Sequence, residues 1–166
     1  MIGAWLLQRG IVLMDVRERA VYYLNIKPRT KNQVAKYLKE KGYKEEDIES
    51  AVSELEEYGY IDDINFSRMY FEYGFEKGRG LLRIKRELSE KGVSSEDIQK
   101  AYDDLEFIPD PYESAIEIGK AIIKGIDLDS LDYKEKKKLQ ARIGRRLAAR
   151  GFSSDVSYKV MNRLVK

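Results

Sequence analysis

A pattern that recurs at a fixed offset constrains this chain more than any single residue does. One stretch reads Leu38, Lys41, Gly42, Tyr43, Glu46-Asp47-Ile48, Ala51, Leu55, and a second reads Leu88, Lys91, Gly92, Val93, Glu96-Asp97-Ile98, Ala101, Leu105, shifted by 50 residues. A third, weaker copy, one residue shorter after its glycine, reads Leu147, Arg150, Gly151, Phe152, Asp155-Val156, Leu164. Repetition at such an interval marks tandem units, each too small to bury a sufficient core alone.

The apolar residues return at helical spacing. Val16, Ala20 and Leu24 form one stripe, Val34 and Leu38 a second, and Ile48, Val52 and Leu55 a third. Phe66, Tyr70 and Tyr73 follow, then Leu81, Ile84 and Leu88, then Ile98, Tyr102 and Leu105. Ala115, Ile118 and Ile122, then Leu139, Ile143 and Leu147, then Val156, Val160 and Leu164 complete the series. Each predicts an amphipathic helix with one buried face, and no convincing period-two strand competes. Breakers separate the stripes. Pro28 stops the first, Gly42, Gly59, Gly92 and Gly151 sit where left-handed helix caps belong, and Pro111 opens a new helix. Thr30 with Gln33 reads as a capping box, and Ser94 with Asp97 and Ser153 as further helix starts. Gly74, Gly78 and Gly80 loosen the stretch before Leu81, and Gly78-Arg79-Gly80 reads as a flexible turn. The expected fold is all-α: three tandem three-helix repeats, at 15–58, 62–107 and 111–165, in an elongated, curved array after an N-terminal segment at 1–14.

The chain has no cysteine and no histidine. Disulfides, Cys or His nucleophiles, His general bases and the usual structural zinc sites are thereby excluded. No apolar run approaches the roughly 18 residues of a membrane span. The apolar start is broken by Gln8 and Arg9 and follows no basic region, so the expectation is a cytoplasmic protein without a secretory signal. Trp5 is either an anchor onto the first repeat or part of a disordered start.

Charge is sorted by helix. The net charge is only +2. Yet Lys27–Lys44 carries Lys27, Arg29, Lys31, Lys36, Lys39, Lys41 and Lys44 against Glu40 alone, while Glu45–Asp63 is acidic without a single base. Lys77–Lys91 is again basic and Gly92–Asp110 acidic. Lys134–Arg150 holds eight bases and the single acid Glu135. The middle helix of every repeat is therefore cationic. Either basic and acidic helices pair and solvate the surface, or the cationic helices form a track for phosphates or an acidic protein surface. The second reading is strongest for Arg142, Arg145, Arg146 and Arg150, which share one flank with no local acid. Arg79, Arg83 and Arg86 are the corresponding candidates in the second repeat. The pair Asp62-Asp63 suits a helix N-terminus better than a metal. Most of the 12 Tyr and five Phe lie at core spacing, and among Tyr70, Phe71, Tyr73 and Phe75 one or two are expected at the surface.

Four segments resemble one family. Pro28-Arg29-Thr30, Gln33-Val34, Leu38 and Lys41-Gly42 are similar to the first signature of the bacterial RecX regulators, which carry Arg-Ser, Glu-Leu, Leu and Lys-Gly there. Gly59-Tyr60-Ile61-Asp62-Asp63 with Phe66 resembles the next. Gly80, Ile84, Glu87-Leu88 and Lys91-Gly92-Val93 resemble the third, and Arg146-Leu147 with Arg150-Gly151-Phe152 the last. The similarity covers about residues 15–165. Thr30 and Gln33-Val34 are conservative departures for capping and packing.

The resemblance implies three tandem three-helix repeats and a regulatory role in DNA repair, homologous recombination and the SOS response. The implied partner is the RecA recombinase, chiefly its filament on single-stranded DNA. The implied effect is inhibition of strand exchange and of the linked ATP hydrolysis by a protein lying in the filament groove, some members also binding DNA. The expected protein is a monomer, with no cofactor, no metal and no membrane partner. A second reading is a helix-turn-helix-like module binding single- or double-stranded DNA without sequence preference. An enzyme would need a nucleophile, a base and an orienting group in one constellation, and none is apparent, so the chain is read as non-enzymatic.

Overall fold

The computed structural model describes residues 14–166, and the expectations for Trp5 and the first thirteen residues lie outside it. Among the described residues there are nine α-helices and no strand. They are α1 (Val16–Ile26), α2 (Lys31–Glu40), α3 (Glu45–Glu57), α4 (Asp63–Glu76), α5 (Leu81–Glu90), α6 (Ser95–Asp103), α7 (Pro111–Ile123), α8 (Tyr133–Arg150) and α9 (Ser154–Leu164), with a single 3₁₀ turn at Leu128–Ser130. The chain forms two compact units, one reaching to Phe66 and one from Ser67 to Lys166.

The repeat seen in the sequence is, at the backbone, a repeated way of ending a helix. After α2, the amide of Gly42 donates to the carbonyl of Lys39 (3.0 Å) and that of Tyr43 to Leu38 (3.3 Å). After α5, Gly92 donates to Ser89 (2.9 Å) and Val93 to Leu88 (3.2 Å). After α8, Gly151 donates to Ala148 (3.0 Å) and Phe152 to Leu147 (3.1 Å). This paired bonding requires a left-handed residue, and Gly42, Gly92 and Gly151 have φ of 88°, 82° and 90°. In each copy the leucine whose carbonyl is capped is itself fully buried. The motif therefore ties the helix end to the core.

In the first unit α1, α2 and α3 pack on one another around Val16, Ala20, Val34, Leu38, Ile48, Ala51, Val52, Leu55 and Ile61. Thr30 caps α2 as its spacing predicts: its hydroxyl accepts from the Gln33 amide, and the Gln33 side chain accepts from the Thr30 amide, both at 3.2 Å. Tyr23 and Tyr37 stack at 3.9 Å, and the Arg29 guanidinium lies 4.3 Å from the Tyr23 ring centre. In the second unit α7, α8 and α9 enclose Ala115, Ile116, Leu139, Ile143, Leu147, Phe152, Val160 and Val165.

Three sequence expectations are corrected here, each by a glycine. α4 buries Ser67, Phe71 and Gly74, a line one residue away from the expected Phe66, Tyr70 and Tyr73. A Cβ at Gly74 would lie 2.6 Å from Ile84 Cδ1, so α4 approaches α5 along its smallest side chains, and Tyr73 is left half-exposed. α7 buries Ala115, Ile116 and Gly119 and leaves Ile118 and Ile122 only partly covered. Its inward side is set by Gly119, where a Cβ would overlap Leu164 of α9. The turn at Gly78-Arg79-Gly80 is no loose connection. The Gly80 amide donates to the Arg150 carbonyl (2.7 Å), and the Leu82 amide donates to the Gly151 carbonyl (3.1 Å). The start of α5 is thereby docked, backbone to backbone, on the end of α8.

Gly80 has an ordinary φ of −77°; its small size is needed because a Cβ would overlap the Gly151 backbone and approach the Phe152 amide nitrogen to 2.7 Å. Gly42 is the reverse case, with a positive φ and open space around it. Gly80→Ala is expected to lower stability by about 3 kcal/mol, since backbone cannot yield as a side chain would. Gly42→Ala is expected to cost only about 1 kcal/mol, the strain of a left-handed alanine. Urea unfolding of the two variants separates the mechanisms, and equal losses would refute the backbone-docking account.

Candidate functional site

The three cationic helices meet different fates. On α2, Lys31 pairs with Glu56 of α3 (2.7 Å) and Lys39 with Glu45 (3.2 Å), while Arg17 of α1 pairs with Glu54. These half-exposed pairs contribute at most about 1 kcal/mol each, but they neutralise the charge they hold.

Arg79 and Arg83 converge on one carboxylate. Arg79 Nη1 donates to Glu87 Oε2 (3.0 Å), Arg83 Nε to Glu87 Oε1 (2.7 Å), and the Tyr70 hydroxyl adds a bond to Oε2 (2.9 Å). The Glu87 side chain is only 17% exposed. Burial by itself pushes its pKa up, but the hydrogen bonds from Arg83 and Tyr70 and the charge of Arg79 outweigh this and hold the carboxyl below its usual range. The Tyr70 hydroxyl is pushed up, by burial first and then by Glu87. Arg86 is exposed and lies 3.7 Å from Glu90.

α8 differs from both. Arg142, Arg145 and Arg146 are exposed, and among the described residues no carboxylate pairs with them. The helix's own acid is used locally: Glu135 accepts from the Asp132 amide (2.9 Å) while Asp132 accepts from the Glu135 amide (2.7 Å). Arg150 is anchored, with Nη1 donating to the carbonyls of Lys77 (3.0 Å) and Gly78 (3.4 Å). These four arginines border a cleft of about 650 Å3 between α7 and α8, completed by Ile118, Ala121, Ile122 and Ala149. The arginine flank is legible from residue spacing. The aliphatic floor is not, because Ile118 and Ile122 share the helical period of core residues; they pack against the edge of the core and remain partly open to the cleft, since Gly119 takes the innermost place on α7.

The remaining candidates resolve into structure. Asp62 caps α4 by accepting from the Asn65 amide (2.8 Å), and Asp63 accepts from the Lys31 amide at the start of α2 (2.8 Å). Among the described residues no group of three or more acidic, His or Cys side chains is placed to hold a metal, and no helix is long and apolar enough to cross a membrane.

The Glu87 cluster makes a pH-dependent prediction. Glu87→Gln is expected to cost about 2 kcal/mol at neutral pH, the scale of hydrogen bonds to a charged group. A depressed carboxyl stabilises the fold above its unfolded pKa and loses that contribution as pH falls through its folded value. The gap between wild type and variant in urea unfolding should therefore close on acidification, and a gap constant with pH would contradict this account.

Two models of the RecX family match the chain: its first three-helix domain over residues 17–55 and its second over residues 62–101. The regulatory protein RecX of Lactobacillus johnsonii is 32% identical over 148 residues, covering 87% of this chain and 52% of that protein. The RecX of Caldanaerobacter subterraneus is 30% identical over 110 residues, covering 66% of this chain and 54% of its own length. That of Vibrio vulnificus is 31% identical over 75 residues, covering 45% and 49%. The chain thus spans about half the length of these curated relatives. In fold it is similar to the crystal structure of RecX from Lactobacillus salivarius, with a TM-score of 0.73, 22% identity, and coverage of 90% of this chain and 94% of that one. With its helix-capping repeats, its two matched three-helix domains and these relatives, the chain belongs to the RecX family of regulatory proteins.

Proposed function

We propose that this chain binds a RecA-type recombinase, chiefly as the filament on single-stranded DNA, and inhibits strand exchange and the coupled ATP hydrolysis. The observation that carries this reading is the match to both RecX three-helix domains, joined to relatives that are themselves named regulatory proteins. The chain acts as a monomeric cytoplasmic protein, without cofactor or catalytic step, through successive three-helix units that each supply a weak contact. Several weak contacts on a polymeric partner combine into strong binding because each raises the effective concentration of the next. Inhibition then follows if the protein prefers one filament state over another, since equal affinity would shift nothing.

The unpaired flank of α8 is the contact surface we assign, with Arg142, Arg145 and Arg146 as its principal residues and Arg150 at its edge. Arg86, exposed beside Glu90, is a secondary candidate. Arg79 and Arg83 rank below these as contact candidates, because both are held by Glu87. The same open flank favours one second reading, in which the protein binds the DNA phosphates of the filament.

ATPase and strand-exchange assays with the cognate recombinase test the proposal directly. Inhibition is expected at protein levels comparable to the filament. Arg142, Arg145 and Arg146 changed together to Ala should weaken it about tenfold, the equivalent of three modest ionic contacts. No effect of the wild type at saturation would reject the reading. A variant that loses affinity for bare DNA in proportion to its loss of inhibition would favour the DNA contact instead.

A further inference from the structure

The cleft between α7 and α8 is more than a patch of positive charge. Ile118, Ala121 and Ile122 on α7 follow one helical line and, with Ala149 of α8, give an aliphatic floor. Arg142, Arg145, Arg146 and Arg150 on α8 follow another and give a cationic rim. The volume of about 650 Å3 is ample for several side chains. Among the described residues no aromatic side chain lines the cleft, so these walls offer unpaired bases no stacking platform. A sugar-phosphate backbone would satisfy the rim but leave the floor in contact with water. Arginine presents a planar fork that matches a carboxylate bidentately. Among the described residues no carboxylate pairs with Arg142, Arg145 or Arg146: Glu117 of α7 is turned to Lys120 (2.7 Å), and Glu135 caps its own helix. Arg150 is already anchored through the carbonyls of Lys77 and Gly78. Less of its freedom is therefore lost when a ligand arrives.

We infer that this cleft is a docking groove for an acidic segment of a protein partner, one whose Asp or Glu residues flank projecting Leu or Ile side chains. Such a segment meets both halves of the groove at once, its carboxylates on the arginine rim and its aliphatic groups on the floor. A short amphipathic helix with anchors three or four residues apart suits the spacing on both walls. The inference rests on the reading of this chain as a regulator of a protein partner, and it assigns the chemistry by which that partner is gripped.

The test uses the full chain with three fluorescent probes: an amphipathic glutamate–leucine peptide, the same peptide with glutamine for every glutamate, and oligothymidylate. The glutamate peptide is expected to bind, the glutamine peptide about tenfold or more weakly. Ala121→Glu adds a carboxylate and bulk to the floor at an exposed position, so it should weaken the glutamate peptide about tenfold without unfolding the helix. Circular dichroism of the variant checks the latter. Equal binding of the two peptides, no binding of either, or no effect of Ala121→Glu on a folded variant would overturn the groove. Displacement of the peptide by equimolar oligothymidylate would also overturn it and give the surface to nucleic acid. The strand-exchange assay is scored separately. Failure of the unmodified chain to bind the peptide, with inhibition intact, removes the groove and spares the regulator, whereas peptide binding without any effect on strand exchange supports the groove and removes the regulator.

Discussion

The second unit depends on a contact with no side chains in it. Where Gly80 meets Gly151, two backbones lie too close for a Cβ on either, and amides at the start of α5 donate to carbonyls at the end of α8. Helix ends leave such groups without partners, and buried ones must be satisfied. Here the last carbonyls of one helix and the first amides of another satisfy each other. Most of the surrounding arrangement follows from that. Arg83 is brought against Gly151, Arg150 reaches the carbonyls of Lys77 and Gly78, and Arg79 is left where Glu87 can take it.

Basic residues are abundant on three helices, but abundance does not distinguish a binding surface. What distinguishes α8 is the fate of the nearby acids. α2 and α3 carry opposite charges and partly cancel across their interface. On α5 the Glu87 carboxylate is shared by Arg83 and by Arg79 of the preceding turn. On α8 the single acid closes a capping box and three arginines remain open. Positive potential accumulates where neutralisation is missing, and the third repeat, weakest in sequence similarity to the others, holds three arginines on one flank with no carboxylate partner among the described residues.

Much of this was legible in residue order. Helix number, the glycine caps and the Thr30–Gln33 box are local features that propensity and spacing describe well. The RecX resemblance rested on those same positions and was upheld by the family comparisons. The Asp132–Glu135 box follows the same local logic, but its acids sit beside a run of lysines whose charge dominates that stretch. The rotation of α4 and α7 was not legible, because periodicity ranks residues by hydrophobicity, whereas these two helices seat themselves by smallness, on Gly74 and Gly119. Nor was the docking of Gly80, whose partner lies some seventy positions along the chain. The arginine flank could be predicted, but the cleft it borders could not, because a cleft belongs to two helices at once.

The glycine-to-glycine junction also limits how the sequence can vary in length. An inserted or deleted residue between Gly78 and Leu82, or between Arg150 and Phe152, would shift one set of amides past the carbonyls that accept them. The connections from Asp104 to Asp110 and from Lys124 to Asp132 carry no such matched register across the fold, so indels among homologues should gather there and spare the junction.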